Sequence, residues 1–512
     1  MRETPGAKAS SSKWAKVIDH TKCIGCHACS TACKSENQVP LSVSRTYVKY
    51  VDVGVFPHAR RAFQVTRCNQ CEDPPCTQAC PTGAMYSRED GIVDFDKNIC
   101  IGCKACIAAC PYDAIFINPE DHAAEKCNFC AHRLDIGLEP ACVVVCPTEA
   151  ILIGNLNDPT SLVSQIVGRT PVTVRRPEKE THPKLFYRGA HLATLDPLAA
   201  QRPEGGLFLW SEQGNVPHQV TSGHPSHRNS SAAAVLAYDV PHRMPWDWRL
   251  SLYTWTKGIA SGAYLIPLLF VLLGLLPTTS PLWKWAAPVV AGVFLAITGS
   301  ILIVDLERPE RFYLIFTHSQ WKSWLVRGAY IIAGYTAVLA LHFLASFSEE
   351  AGPSIQSMLM ALGLPLSILT AVYTAYLFAQ AQARDLWQSP LLPPHFLVQA
   401  LVAGAAVLLP SAVIFEPVVA PTLAWTLSGA SFVHLLLVLG ETTLTHATAH
   451  ARLAVEEMLF GKFRLYFWLG VVFMLLAVAA PWIGAAAALF ALVGLLAHEH
   501  AYVQSGQAAP LA

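Results

Sequence analysis

Beyond Leu250 the chain is a succession of apolar runs broken by short polar loops, and each run is about as long as a helix that crosses a bilayer. The runs at 252–276, 285–305, 325–347, 355–380, 395–415, 421–443, 464–482 and 483–503 predict eight transmembrane helices. The last two part only around Pro481 to Gly484, where a re-entrant hairpin is the alternative. From Gly154 to about Pro245 the long apolar runs disappear, which predicts mostly connection. Arg202 to Ser231 is rich in Pro, Gly, Ser and His, a composition that buries little. Val172 to Tyr187 is expected to pack on the preceding domain as an irregular extension. The pattern divides the chain into a first domain at 1–160, an extension and linker at 161–245, and a membrane domain at 246–512.

Charge adds an orientation. An even number of spans puts both ends of the membrane domain on one side, and that side holds Arg308, Arg311, Lys322, Arg327, Arg384, Arg452, Lys462 and Arg464. The far side holds Lys284 alone, so the positive-inside rule places the N-terminal domain in the cytoplasm. Met1 to His20 is polar, without an apolar signal core or a twin-arginine pair, and nothing in it argues for export. The net charge of zero averages two different objects and points to no nucleic-acid partner.

All sixteen cysteines fall between Cys23 and Cys146, in four groups of four. Cys23, Cys26, Cys29 and Cys33 are spaced C-x2-C-x2-C-x3-C, and Cys100, Cys103, Cys106 and Cys110 repeat that spacing. Cys68, Cys71, Cys76 and Cys80 have a longer middle gap, and Cys127, Cys130, Cys142 and Cys146 are widely split. Pro81, Pro111 and Pro147 follow three of the groups, while Lys34 follows the first. A 4Fe–4S cube needs one thiolate per iron, and a tight loop with cysteines three apart wraps three corners with its backbone N–H groups turned toward the sulfides. The fourth thiolate comes from elsewhere in the chain. Zinc also takes C-x2-C pairs, but four such runs, three of them ending in Cys-Pro, do not read as isolated zinc knuckles. His218, His224 and His227 could bind a metal, although lone histidines in a polar stretch read better as solvated.

The order of these motifs, with Gly-Asn-Leu-Asn-Asp-Pro at 154–159, resembles the four-cluster ferredoxin subunits of molybdopterin oxidoreductases such as dimethyl sulfoxide reductase and polysulfide reductase. The resemblance covers Val17 to Pro159 and implies a ferredoxin-like α+β polyferredoxin domain with four 4Fe–4S clusters. It also implies nested pairing of the motifs, which spacing alone does not distinguish from pairing of neighbours. One cluster would take Cys23, Cys26, Cys29 and Cys146, and a second Cys33, Cys127, Cys130 and Cys142. A third would take Cys68, Cys71, Cys76 and Cys110, and the last Cys80, Cys100, Cys103 and Cys106.

The loop Asp305-Leu306-Glu307-Arg308-Pro309-Glu310-Arg311-Phe312 carries alternating acids and arginines at the edge of the apolar region. Such groups are costly near lipid and tend to mark a pathway or a ligand site. This loop, Trp324 to Tyr330, Leu386-Trp387-Gln388-Ser389-Pro390 and the ending Ala501 to Gln507 look like the polysulfide-reductase NrfD-like membrane subunits. The likeness spans Trp246 to the C-terminus. It implies an all-α polytopic domain of two packed four-helix bundles with a pocket for menaquinone or ubiquinone.

A quinone site needs an apolar slot with polar groups at the carbonyls. By position, Asp305, Glu307, Arg308, Tyr264, Tyr373, Tyr376, Arg384 and Asp385 are the candidates. His434 and Glu441, two turns apart on one helix, read as a proton relay or as a buried polar pair between helices, the latter preferred. Gly258-x-x-x-Gly262 reads as close helix packing.

No nicotinamide fingerprint, flavin motif or haem-attachment sequence is present, and no cysteine is left over for a nucleophile. Apart from a quinone site, the chain therefore shows no substrate-converting site of its own. The expected function is electron transfer and membrane anchoring for a molybdopterin-type catalytic subunit acting on a small inorganic or one-carbon substrate. A redox-driven proton-translocating module and a scaffold that takes no quinone are the alternatives.

Overall fold

The structure, a computed structural model, describes residues 12–54, 57–201, 234–348 and 352–512. His218, His224, His227 and the segment Arg202 to Ser231 lie outside the described residues. The chain divides into two units, Met1–Pro245 with Pro510–Ala512, and Trp246–Ala509.

In the first unit Trp14–Asp19 is an inner strand. It pairs antiparallel with Ile151–Asn155 and parallel with Leu185–Arg188, which in turn pairs antiparallel with Val172–Thr173. A second sheet runs Ala234–Tyr238, Thr46–Val53, Arg60–Arg67. Two small hairpins, Met85–Ser87 with Val93–Phe95 and Ile115–Ile117 with Ala124–Lys126, each follow a Cys-Pro step, so the repeat in sequence is also a repeat in fold.

The segment expected as an irregular extension is partly regular. Leu185 and Tyr187 are buried while Phe186 and Arg188 are half-buried, and this period of two inserts the strand beside Trp14–Asp19. The first unit's sheets therefore continue past residue 160 and take up the strands at 172–173, 185–188 and 234–238.

The second unit is helical. Among the described residues, seven helices are long and apolar enough to span a membrane: Trp248–Leu272, Leu282–Val304, Trp324–Ala345, Ser354–Gln380, Leu392–Phe415, Ala420–Thr443 and Ala486–Ala508. The eighth candidate differs from the expected run at 464–482. Its helix, Arg464–Val478, has 15 residues, about 22 Å at 1.5 Å per residue, and ends short of Pro481. It becomes a span only together with Ala449–Leu459, from which it is bent by 71°. The first four long helices pack on one another, as do the last four segments, and Trp248–Leu272 and Leu392–Phe415 join the two groups. The join requires glycine: a Cβ on Gly262 would lie 1.8 Å from the Ala400 carbonyl oxygen, and one on Gly404 would strike Gly262.

Candidate functional sites

All sixteen cysteines are free thiols, and the fold sorts them into groups of four. One cavity is walled by Cys23, Cys26, Cys29 and Cys146, a second by Cys33, Cys127, Cys130 and Cys142, and a third by Cys80, Cys100, Cys103 and Cys106. Cys76 feels the charges of Cys68, Cys110 and Cys71, which places the remaining four together. Each group joins three cysteines of one motif to one of another.

Local backbone explains the loops. Gly25 and His27 are left-handed at φ 69° and 60°, and Gly102 and Lys104 repeat this at 69° and 63°. Alternation of this kind turns successive N–H groups toward a common point, a concavity that favours anionic sulfur. Backbone N–H groups of Gln70, Met85, Ala124 and Ala150 donate to Cys68, Cys80, Cys100 and Cys146 Sγ at 3.2 to 3.4 Å. Thiol walls with inward donors fit a thiolate-ligated iron–sulfur cluster and the hydrogen bonds its sulfurs accept.

The four cysteine groups are not electrostatically equal. Burial pushes the Cys33 thiol up to about 12, with Cys127 and Cys142 adding to the rise. Burial also raises Cys142, but Lys16 and Arg67 outweigh it and bring that thiol down to about 7. Arg67 Nη1 stands 3.0 Å and Lys16 Nζ 3.5 Å from Cys142 Sγ. Two buried cations therefore face one cluster site.

In the helical unit, the expected quinone residues do not all converge. Contacts define one end of the unit: Trp324 N–H donates to Gln380 Oε1 at 2.8 Å, Gln504 to the Asp247 carbonyl at 2.9 Å, and Tyr502 to the Leu386 carbonyl at 3.1 Å. Asp305 closes the second helix at this end, with Glu307 and Arg308 in the turn that follows, all half-buried. Asp385, also half-buried, and Tyr376, stacked 4.5 Å from Trp324, belong here as well. Tyr373 is a little deeper, with its hydroxyl on that of Tyr253 and the Lys257 ammonium 5.1 Å from its ring.

Two expected residues are placed otherwise. Tyr264 is fully buried at the opposite end, where it bonds His342 Nδ1 at 3.0 Å and packs on Trp283. Trp283 and Asp305 stand at the two ends of one helix, about 33 Å apart at 1.5 Å per residue, so Tyr264 cannot share a ligand with the loop. Arg384 is turned into the protein, its Nη1 3.0 Å from the Gln507 carbonyl and 3.5 Å from that of Ala509. It caps the C-terminal end of Ala486–Ala508, where carbonyls lack intrahelical partners.

His434 and Glu441 do not bond each other. Each instead meets His395, His434 Nδ1 at 2.9 Å from Nε2 and Glu441 Oε2 at 3.3 Å from Nδ1. Sequence reasoning missed His395, His498, Lys257 and Glu499, all buried. Their signal was present as ionisable residues inside apolar runs, which are costly in a membrane and therefore candidates for function.

Thiol sites built for iron–sulfur clusters on one unit, and a bundle of candidate spans in the other, define a membrane-bound electron-transfer protein. Residues 239–509 match the polysulphide reductase NrfD family and residues 60–156 match a 4Fe-4S dicluster domain, so the chain belongs to the NrfD family and carries an iron–sulfur domain fused ahead of it. The first part is 41% identical over 208 residues to a tetrathionate reductase subunit of Salmonella typhimurium, covering 39% of this chain and 80% of that one. It is 44% identical over 177 residues to a polysulfide reductase subunit of Wolinella succinogenes, covering 34% and 93% of the two. To a putative dimethyl sulfoxide reductase iron-sulfur subunit of Halobacterium salinarum it is 37% identical over 221 residues, covering 37% and 84%. Electron transfer by iron–sulfur clusters and attachment to a membrane are thus combined in one polypeptide.

Proposed function

We propose that the chain carries electrons between a separate molybdopterin-type catalytic subunit and the membrane quinone pool, through four 4Fe–4S clusters. The observation that carries this reading is the grouping of cysteines from distant motifs around common cavities. The ligand sets are Cys23, Cys26, Cys29, Cys146; Cys33, Cys127, Cys130, Cys142; Cys68, Cys71, Cys76, Cys110; and Cys80, Cys100, Cys103, Cys106. Iron–sulfur clusters supply one-electron transfer. The tetrathionate and polysulfide reductase relatives favour a small inorganic substrate for the partner.

Quinone binding falls to the end of the helical unit that holds Asp305, Glu307, Arg308, Asp385, Tyr376 and Tyr373. Carboxylates there would hold and pass the protons that accompany quinone reduction, and the aromatic pair Trp324 and Tyr376 offers a flat apolar wall. The basic residues at the same end support an inner-membrane orientation with that end, and the cysteine unit that leads into it, on the cytoplasmic side.

Two measurements on the purified complex test this. Iron and acid-labile sulfide should each reach about sixteen atoms per chain, one cube for every four thiolates. A quinol analogue should reduce the clusters, and Asp305→Asn should slow that reduction at least about tenfold, on the scale of a lost general acid–base group, without changing iron content. Clusters that stay oxidised in excess quinol would sink the quinone assignment, and fewer cubes would sink the ligand sets.

A further inference from the structure

Three histidines come together inside the second unit in a way that the electron-transfer reading neither uses nor needs. His395 lies in the first turn of Leu392–Phe415, His434 in Ala420–Thr443 and His498 in Ala486–Ala508. All three are buried, at 1%, 1% and 2% exposure. One ring nitrogen from each can be chosen so that the three atoms lie within 4.8 Å of one another. Ring centroids are 4.9 Å apart for His395 and His434, 4.8 Å for His434 and His498, and 5.5 Å for His395 and His498.

The hydrogen bonding inside this group is incomplete. The contact between His395 Nε2 and His434 Nδ1, at 2.9 Å, joins one pair of nitrogens. His498 Nε2 is buried and makes no hydrogen bond among the described residues. Besides the other two histidines, the ring of Tyr502 stacks 6.2 Å from His498 and that of Phe467 lies 6.4 Å away. A buried imidazole nitrogen with no partner is expensive. A cation that accepts lone pairs from all three rings removes the deficit.

Glu441 supplies the second sign. Its carboxylate stands 3.3 Å from His395 Nδ1, the ring nitrogen that does not meet His434. A metal-binding histidine commonly gives its second N–H to a carboxylate, which fixes the tautomer and leaves the other nitrogen's lone pair for the metal. The carboxylate also offsets part of a divalent charge in an apolar interior. Tetrahedral ligand nitrogens at bonds of about 2.0–2.1 Å stand about 3.3 Å apart, inside the range these atoms already span.

We propose that His395, His434 and His498 bind one divalent cation of the zinc class, with Glu441 orienting His395. Three neutral imidazoles suit zinc among the available divalent ions, and three protein ligands leave a fourth position for water or a small ligand. The site is distinct from the cysteine cavities, since no sulfur lies among its donors.

The full chain, purified with its partners in detergent and equilibrated with zinc ion at micromolar free concentration, provides the test. Zinc should be present at about one atom per chain alongside undiminished iron, and its X-ray absorption should show nitrogen or oxygen neighbours at about 2.0–2.1 Å and no sulfur. In His434→Gln and His498→Gln the zinc should fall at least about tenfold while iron content holds, as expected when one of three ligands is lost. Less than about a fifth of an atom in the unaltered chain, a sulfur shell, or zinc retained by both variants would overturn the proposal and leave the histidines as a metal-free hydrogen-bonded group. If the variants lose iron through misfolding, the X-ray absorption of the unaltered chain decides by itself.

Discussion

The two units bury positive charge by different means. In the cysteine unit, Arg67 and Lys16 are fully buried against the Cys142 thiol, and Arg45 is buried against Glu125 at 3.0 Å. In the helical unit, Lys257 donates to the Ala371 carbonyl at 2.6 Å and lies over the rings of Phe396 and Tyr373, and Arg384 donates to the last carbonyls of a helix. Countercharge dominates around the cations of the first, with the Phe129 ring under Lys16, whereas in the second backbone dipoles and π faces take the larger share and Glu499 is the one buried carboxylate whose charge acts on Lys257 among the described residues. The difference follows from composition: anionic iron–sulfur clusters need cations nearby, whereas apolar helices have few anions and many carbonyls. A buried cation in the first unit should therefore tune redox chemistry, and one in the second should hold helices together.

The largest expected effect lies in the second unit. Arg384→Met would leave the Gln507 and Ala509 carbonyls without their donor and cost about 2–3 kcal/mol, the usual worth of hydrogen bonds to a charged group in a buried place. Thermal unfolding of the detergent-solubilised complex should show the loss, while the midpoint potentials of the clusters stay put. A stable Met variant with slowed quinol oxidation would reverse the assignment and return Arg384 to the quinone site.

A smaller effect of the opposite kind is expected from Arg67→Met. Removing a unit charge on the order of 8 Å away, at an effective dielectric constant of about 20, is worth roughly 2 kcal/mol, or about 90 mV for one electron. Spin-resonance redox titration should find the cluster assigned to Cys142 shifted to lower potential by about that amount, a smaller shift at the one assigned to Cys29, whose thiol also feels Arg67, and the remaining two within about 20 mV. A uniform shift of all four, or none, would break the contrast between the units.

These contrasts were only partly legible in the sequence. Cysteine spacing announced the clusters because ligand geometry constrains neighbours in the chain, and the apolar runs announced the helices because a bilayer sets their length. The grouping of Cys33 with Cys127, Cys130 and Cys142 depends on how distant loops meet, which spacing does not encode. Arg384 looked like a ligand-binding residue because its loop sits at the right end, but the carbonyls that take it belong to a helix more than a hundred residues later. His395, His434 and His498 lie in three separate apolar runs, with no common period to join them. The strand Leu185–Arg188 is four residues long, too short for its alternation to stand out.

A pH-dependent effect tests whether countercharge in the cysteine unit stabilises the fold as well as the clusters. His242 Nδ1 lies 2.5 Å from Asp113 Oδ2, and its Nε2 lies 3.2 Å from Asp239. Burial lowers its affinity for a proton, but the two carboxylates outweigh that and raise its pKa to about 10. A group whose folded pKa exceeds its unfolded value, about 6.5 for histidine, stabilises the fold fully below the unfolded value and loses that contribution as pH rises toward the folded one. The stability difference between the unaltered chain and His242→Gln should therefore be greatest at about pH 6, shrink steadily above about 6.5 and vanish near 10. Denaturation midpoints of both proteins across that range measure it. A difference that does not change with pH would mean that His242 acts as a neutral hydrogen-bonding group, and that countercharge in this unit serves the thiolates alone.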